Sequence, residues 1–202
     1  MSDLFCAATL IVARHGQAAY DVADVASDDG GWLTPEGRQQ ARVLGESLRD
    51  RRIASVWCSD MTRAVQTAEI AAGALGGLPV TVRRGLREFE VGSLAGQPLT
   101  VLDAVFATWV GGDLSGGCPG AETGEQVLTR MRSELESATD EHRGETVLVI
   151  SHGGVISVTL PRLCANVPAD FALGRPISNG GAAEVAVDAD GWVLRSWNSA
   201  AL

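Results

Sequence analysis

The chain has 202 residues, of which 46% are hydrophobic and 20% charged, and its formal net charge is −9. This length and composition fit one globular domain with a sizeable core. The negative charge argues against nucleic acid as a partner, and no apolar run is long enough for a membrane helix. The first residues lack a basic segment ahead of a long apolar run, and the four cysteines form no CxxC pair. We therefore expect a cytoplasmic protein without disulfides.

The first half of the sequence alternates predicted strands with predicted helices. Residues 9–13 (TLIVA) form a continuous apolar run, which is typical of a strand buried on both faces. A helix is predicted to begin after Thr34, because a threonine cap followed by proline and glutamate suits a first helical turn. A second strand is predicted over Ile53–Cys58, followed by a helix over residues 60–72 with Ser59 as its cap.

The second half continues this alternation and closes with a hairpin. Residues 182–197 alternate in polarity on both sides of Asp190-Gly191, which is typical of two antiparallel strands. The other predicted elements are a short strand over 78–83, a helix over 123–141, a strand over 145–151 and a helix that starts near Gly154.

This order of elements predicts an α/β fold. We expect a three-layer α/β/α sandwich, with a mostly parallel central sheet and the C-terminal antiparallel hairpin at its side. One domain would span residues 1–202. Residues 92–122 are rich in glycine and break the regular pattern, so they are predicted to form a substrate-side insertion or lid and not a second domain.

Four polar stretches are expected to meet at one edge of the sheet, because ligands of such folds bind at the carboxyl ends of the parallel strands. Each stretch follows a predicted strand. They are Arg14-His15-Gly16, SDMTRAVQTA over residues 59–68, LREFEVGSLAG over residues 86–96, and SHGG over residues 151–154.

The side chains in these stretches suit phosphoryl transfer through a covalent intermediate. The guanidinium groups of Arg14 and Arg63 match phosphate oxygens and stay charged. A neutral imidazole such as that of His15 is a good nucleophile near neutral pH, and His152 adds a second imidazole. The carboxyl group of a glutamate in the third stretch, Glu88 or Glu90, can protonate a leaving oxygen and then activate water.

The same four stretches resemble the signatures of the histidine phosphatase superfamily, the phosphoglycerate mutase-like group, in the order found there. The resemblance implies a phosphoglycerate mutase-like fold, no metal and no cofactor. It also implies a role for each matching residue. His15 would be phosphorylated, Arg14 and Arg63 would clamp the phosphate, His152 would stabilise the phosphoryl charge, Glu88 would donate the proton, and Gly153 would lend a backbone N–H.

Two features leave alternatives open. Glu90 competes with Glu88 as proton donor, since both would share a face in a strand, and only the motif match favours Glu88. After the RHG stretch, Ala18 and Asp21 stand near positions where the family commonly has polar residues that hold the phosphate or the substrate. Substrate binding is therefore harder to infer than the core chemistry.

The sequence predicts a metal-independent phosphomonoester hydrolase that acts through phosphohistidine on a phosphorylated small molecule. One alternative is a cofactor-dependent phosphoglycerate mutase, and another is a catalytically weak protein that binds a phosphorylated ligand. An exposed edge strand or the helix from Thr123 could mediate a homodimer. Five apolar residues could line the substrate pocket or belong to the core, and the core is the favoured interpretation for most of them. They are Trp57, Phe89, Phe106, Trp109 and Leu114.

Overall fold

The computed structural model describes residues 6–20, 22, 25–28 and 30–202. The prediction about Asp21 near the phosphate and the prediction about the N-terminal residues 1–5 concern residues outside this described part. The strands are β1 (Ala8–Arg14), β2 (Ala18–Ala19), β3 (Trp32–Leu33), β4 (Ile53–Cys58), β5 (Val80–Val82), β6 (Thr146–Ser151), β7 (Ala182–Asp188), β8 (Gly191–Trp197) and β9 (Ala200–Ala201). The helices are α1 (Pro35–Ser47), α2 (Thr62–Ala74), α3 (Val101–Val110), α4 (Gly124–Glu141) and α5 (Gly153–Leu163), with short 3₁₀ turns at Arg49–Arg51, Arg84–Leu86 and Gly92–Leu94.

Within the described residues, seven strands form the main sheet in the order β5-β4-β6-β1-β7-β8-β9. The first four are parallel, and the last three continue the sheet in antiparallel fashion. Arg14 is paired with Ser151, and Cys58 with Ile150. The carboxyl ends of β1, β4 and β6 therefore lie at one level, and the polar residues that follow them reach the same edge.

Helices cover both faces of the sheet. Leu10 and Val12 of β1 pack in one buried cluster with side chains of α4 and α5, whereas Ile11 and Ala13 pack in a second cluster with those of α1 and α2. Because successive side chains of a strand point to opposite faces, the unbroken apolar run serves both layers. This confirms the predicted α/β fold, with its parallel core and C-terminal antiparallel hairpin.

Side-chain caps open two of the five α-helices in the described residues, and one of these, at Thr34, was predicted from the sequence. The Thr34 hydroxyl accepts the Gly37 N–H at 3.0 Å, and Thr123 forms a reciprocal capping box with Gln126. The expected cap of α2 is wrong: this helix begins at Thr62 after Met61, and no side chain caps it. The Ser59 hydroxyl bonds elsewhere, as described below.

The glycine-rich segment holds a helix that the sequence analysis missed. Helix α3 (Val101–Val110) lies within residues 92–122, where flanking glycines hid a ten-residue apolar stretch. Strand β5 is also shorter than predicted, with three residues. In the part of the chain that the structure describes, no helix is long and apolar enough to cross a membrane.

Candidate active site

His15 lies directly after β1 and is 5% exposed. Its Nδ1 is 2.7 Å from the Gly16 carbonyl oxygen, so this nitrogen carries the proton and donates. Nε2 then has the lone pair, and it accepts the Nε–H of Arg63 at 3.1 Å. Burial, together with the charges of Arg63 and Arg14, lowers the pKa of His15 to about 3. The imidazole is therefore neutral at physiological pH, and its lone pair is on Nε2.

Neighbouring segments hold the loop that carries His15. The Gly16 N–H donates to the Thr67 hydroxyl at 3.1 Å, and the Asn179 side chain donates to the His15 carbonyl at 3.1 Å. The backbones of Gly16 and Gly37 also touch. A Cβ on Gly16 would lie 2.4 Å from the Gly37 carbonyl oxygen, so neither position has room for a side chain. The first turn of α1 therefore packs directly against the loop that carries His15.

Replacing Gly37 with alanine is expected to lower the free energy of unfolding by about 2–3 kcal/mol, because overpacking of this kind forces backbone to move. The new Cβ would lie 2.0 Å from the Gln17 carbonyl oxygen. Gly73→Ala is the matched control, since a Cβ there meets no atom within 4 Å in the exposed part of α2. It should stabilise the protein by about 0.5–1 kcal/mol. Urea unfolding measures both changes, and equal effects would contradict the close approach.

Two arginines flank His15. Arg63 lies in the first turn of α2, is 4% exposed, and donates through Nη1 to the Gly30 carbonyl at 2.8 Å. Arg14 donates through Nη1 to the Ile177 carbonyl at 3.0 Å, while its Nε is buried and has no hydrogen-bond partner among the described residues. A Cβ on Gly153 would lie 3.1 Å from this Nε. The glycine therefore leaves room around the Arg14 guanidinium.

His152 is fully buried, and its ring meets that of His15 edge to face at 5.1 Å. Its Nε2 lies 2.9 Å from the Ser59 hydroxyl, which already accepts the Met61 N–H. The hydroxyl proton can donate to Nε2, and in the tautomer that uses this bond the ring proton is on Nδ1. Nδ1 is buried with no partner in the described part of the chain. Burial, and the charge of nearby Arg63, hold the pKa of His152 well below its usual value.

Glu88 follows the 3₁₀ turn after β5, and its carboxylate reaches the N-terminus of α5. It accepts the N–H of Gly154 at 2.9 Å and that of Val155 at 2.8 Å. Glu90, by contrast, is exposed and lies away from the cavity described below. This segment is irregular and not a strand, so the two glutamates do not share a face.

Arg130 of α4 holds the segment that carries Glu88. Its guanidinium donates to the carbonyl oxygens of Gly85 and Arg87 at 2.8 Å and to that of Glu88 at 3.2 Å. It also forms an ion pair with Glu122 at 2.7 Å. Three of these bonds hold the backbone on which the position of Glu88 depends, and two further bonds to the Glu122 carboxylate hold the guanidinium in place.

A cavity of about 600 Å³ opens beside these groups. Five of the six predicted site residues line it, whereas His152 does not and contacts the ring of His15. The five are Arg14, His15, Arg63, Glu88 and Gly153. The described residues contain no cluster of three or more histidine, cysteine or acidic side chains that could hold a metal ion.

The apolar candidates divide between the cavity and the core. Phe89 and Phe106 line the cavity, whereas Trp57 and Trp109 are fully buried and Leu114 packs against the core. Ala18 lies in β2 and is half-buried. Sequence reasoning missed the contacts of Arg130 and Asn179, and it gave Ser59 the wrong partner.

The lowered pKa of His15 predicts a pH-dependent stability. A histidine with a pKa near 6.5 in the unfolded chain and about 3 in the fold binds its proton first in the unfolded state. Between these values the unfolded state holds more protons, so stability falls as the pH decreases. The stability of wild type relative to His15→Asn should fall by roughly 1 kcal/mol per pH unit between pH 5.5 and 4. Urea unfolding at several pH values measures this difference, and parallel curves would contradict it.

Comparisons with known proteins agree on the family. A family model described as the histidine phosphatase superfamily (branch 1) matches residues 10–200. "Probable phosphoglycerate mutase GpmB" of Erwinia tasmaniensis is 34% identical over 161 residues, which cover 76% of this chain and 74% of that protein. "Phosphoglycerate mutase-like protein 4" of Arabidopsis thaliana is 30% identical over 162 residues, which cover 74% of this chain and 68% of that protein.

Two solved structures with similar folds are named as phosphatases. A mycobacterial glucosyl-3-phosphoglycerate phosphatase has a TM-score of 0.80 and 25% identity, with 96% of this chain and all of that chain covered (100%). The α-ribazole phosphatase of Shigella flexneri has a TM-score of 0.76 and 26% identity, with 96% and 98% covered. The family match over nearly the whole chain and the shared fold lead to one conclusion: this chain is an enzyme of the histidine phosphatase superfamily, branch 1.

Proposed function

We propose that this enzyme hydrolyses phosphomonoesters through a phosphohistidine intermediate on His15. One observation carries the proposal: His15 is a neutral, buried imidazole on a cavity wall, with Nδ1 tied to a backbone carbonyl and Nε2 facing a guanidinium. That arrangement leaves one nucleophilic nitrogen in a field of positive charge. Such a field stabilises the charge that develops on a transferring phosphoryl group.

In the first step, Nε2 of His15 attacks phosphorus and the ester P–O bond breaks. The phosphoryl oxygens accept hydrogen bonds from the Nε–H groups of Arg63 and Arg14. In the free enzyme the first of these groups donates to His15, and the second has no partner among the described residues. His152 donates to the phosphoryl group through its Nδ1–H while staying neutral. A protonated Glu88 gives its proton to the leaving oxygen, and the alcohol departs.

In the second step, water attacks the phosphorus of phosphohistidine. Glu88, now a carboxylate, accepts a proton from this water. The N–P bond breaks, its electron pair returns to Nε2, and inorganic phosphate leaves. The backbone N–H groups of Gly154 and Val155 hold the Glu88 carboxylate in place during the cycle.

We further propose that residues 92–122 form the substrate-side lid. Helix α3 from this segment contributes Leu102, Asp103 and Phe106 to the cavity wall, which supports a role at the leaving group. A cytoplasmic location and a homodimer stay predictions from the sequence.

The test is to trap the intermediate. The enzyme is mixed with benzyl phosphate and excess chelator, quenched in alkali, where phosphohistidine is stable, and mapped by mass spectrometry. We expect one phosphate on the peptide that contains His15, together with release of inorganic phosphate. Turnover without a phosphopeptide, or turnover that the chelator abolishes, would contradict the mechanism.

Product analysis separates a hydrolase from a mutase. With 3-phosphoglycerate primed by 2,3-bisphosphoglycerate, we expect slow release of phosphate and no 2-phosphoglycerate. Formation of 2-phosphoglycerate faster than phosphate would establish the mutase. Phosphate binding without any turnover would establish the third alternative, a ligand-binding protein.

A further inference from the structure

We propose that the natural substrate is the phosphate ester of an uncharged, largely apolar alcohol. This inference rests on the proposed function and names its substrate class. The cavity beyond the phosphate-binding groups is walled mainly by apolar side chains, from three separate parts of the chain. They include Val25, Val91, Leu102, Phe106, Leu173 and Ile177.

Positive charge in the cavity is confined to the phosphate site. Of the described residues that line it, only Arg14 and Arg63 carry a permanent positive charge. The chain has no lysine, and none of the residues outside the described set is basic. Arg175 lies between two lining residues in the sequence but does not itself line the cavity. Its guanidinium lies over the Phe171 ring at 5.1 Å and donates to the Phe171 carbonyl.

A second anionic group on the substrate would therefore find no cation. It would instead meet Asp103, which lines the cavity from α3. An unpaired carboxylate against an apolar wall loses hydration without compensation, and a like charge nearby adds repulsion. The site thus disfavours phosphoglycerates, whose carboxylate is close to the ester.

The mouth of the cavity also exposes apolar surface. Tyr20, Leu99 and Leu173 line it and are 40%, 47% and 61% exposed. Exposed large apolar side chains that gather around a binding cavity indicate an apolar ligand, because its binding removes that surface from water. Isolated exposed residues such as Val43, on the outer face of α1, carry no such meaning.

The first test compares three esters whose leaving alcohols differ little in acidity: 4-methylbenzyl, 4-carboxybenzyl and ethyl phosphate. We expect kcat/KM for the methylbenzyl ester to exceed that for the carboxybenzyl ester by at least about 50-fold. It should exceed that for ethyl phosphate by at least about tenfold. Equal values, or a preference for the carboxylate, would overturn the inference while leaving the hydrolase intact.

Substitutions in the cavity wall test which side chains cause the preference for the apolar ester. Asp103→Asn should narrow the methylbenzyl-to-carboxybenzyl ratio by about 3-fold, as expected for one exposed charge. The double variant Leu99→Ser/Leu173→Ser should lower kcat/KM for the methylbenzyl ester by about tenfold and that for ethyl phosphate by less than about twofold. Its matched control is Val43→Ser/Val82→Ser, two exposed apolar residues outside the cavity, which should change neither value. If both double variants behave alike, the mouth does not bind the alcohol.

Binding of unreactive analogues separates failure of the inference from failure of the proposed function. Calorimetry with 4-methylbenzylphosphonate and 4-carboxybenzylphosphonate needs no turnover. Tighter binding of the methyl analogue by at least about tenfold supports the substrate class even in a protein that hydrolyses nothing. Equal or reversed affinities contradict it, whatever the fate of the phosphohistidine mechanism.

Discussion

Replacing His15 with alanine is expected to lower kcat/KM for benzyl phosphate by at least about 10⁴-fold, because no other group can form the covalent intermediate. In the proposed mechanism the nucleophile is a single atom, Nε2, while Arg14, Arg63 and His152 stabilise charge and Glu88 transfers the proton. His152 cannot substitute, since its Nε2 is engaged by Ser59. Steady-state kinetics with chelator present measures the loss, and the phosphopeptide should vanish in the same variant.

The chain offers a matched control for this experiment. His142, the only histidine outside the site, ends α4 and bonds Glu145 at 2.9 Å. His142→Ala should therefore leave kcat/KM within about twofold of wild type, as surface substitutions usually do. A His15→Ala variant that retains more than about a hundredth of wild-type activity would show that water attacks the substrate directly.

Much of the fold follows from local patterns in the sequence. The four central residues of β1, 10–13, are all apolar because both faces of the strand are buried, and the alternation of strands and helices then indicates the parallel core. The meeting of Arg14, Arg63 and His152 was predictable for the same reason. Arg14 is the last residue of β1, whereas Arg63 and His152 follow β4 and β6, and the strand register brings the carboxyl ends of these strands to one level.

The rest depends on contacts between distant segments, which no local pattern records. Ser59 stands where a helix cap is expected, yet its hydroxyl meets His152, 93 residues along the chain. Arg130 reaches Glu88 across 42 residues. The choice between Glu88 and Glu90 failed on spacing alone because the two-residue period applies only to strands, and this segment is irregular.

The second large predicted effect is the loss of activity on replacing Glu88. Glu88→Gln is expected to lower kcat/KM for benzyl phosphate by about 10³-fold, and that for 4-nitrophenyl phosphate by less than about tenfold. The amide has no acidic proton to give, which matters when the leaving group is a poorly acidic alcohol and matters little when it is a stabilised phenolate. The ratio kcat/KM reports steps up to departure of the alcohol, so it isolates the role of the acid from that of the base.

Glu90→Gln is the control, because that side chain is exposed and lies outside the cavity. This variant should change kcat/KM for neither substrate by more than about twofold. The leaving-group dependence is the decisive readout, since a glutamine that merely disturbed the N-terminus of α5, where Gly154 and Val155 donate, would slow both substrates alike. If Glu88→Gln lowered kcat/KM equally for both substrates, Glu88 would have a structural role. If Glu90→Gln instead lowered kcat/KM for benzyl phosphate alone, Glu90 would be the general acid. The selective loss in Glu88→Gln alone would place the proton donor on the same cavity wall as the nucleophile, so that one cavity both binds the alcohol and protonates it.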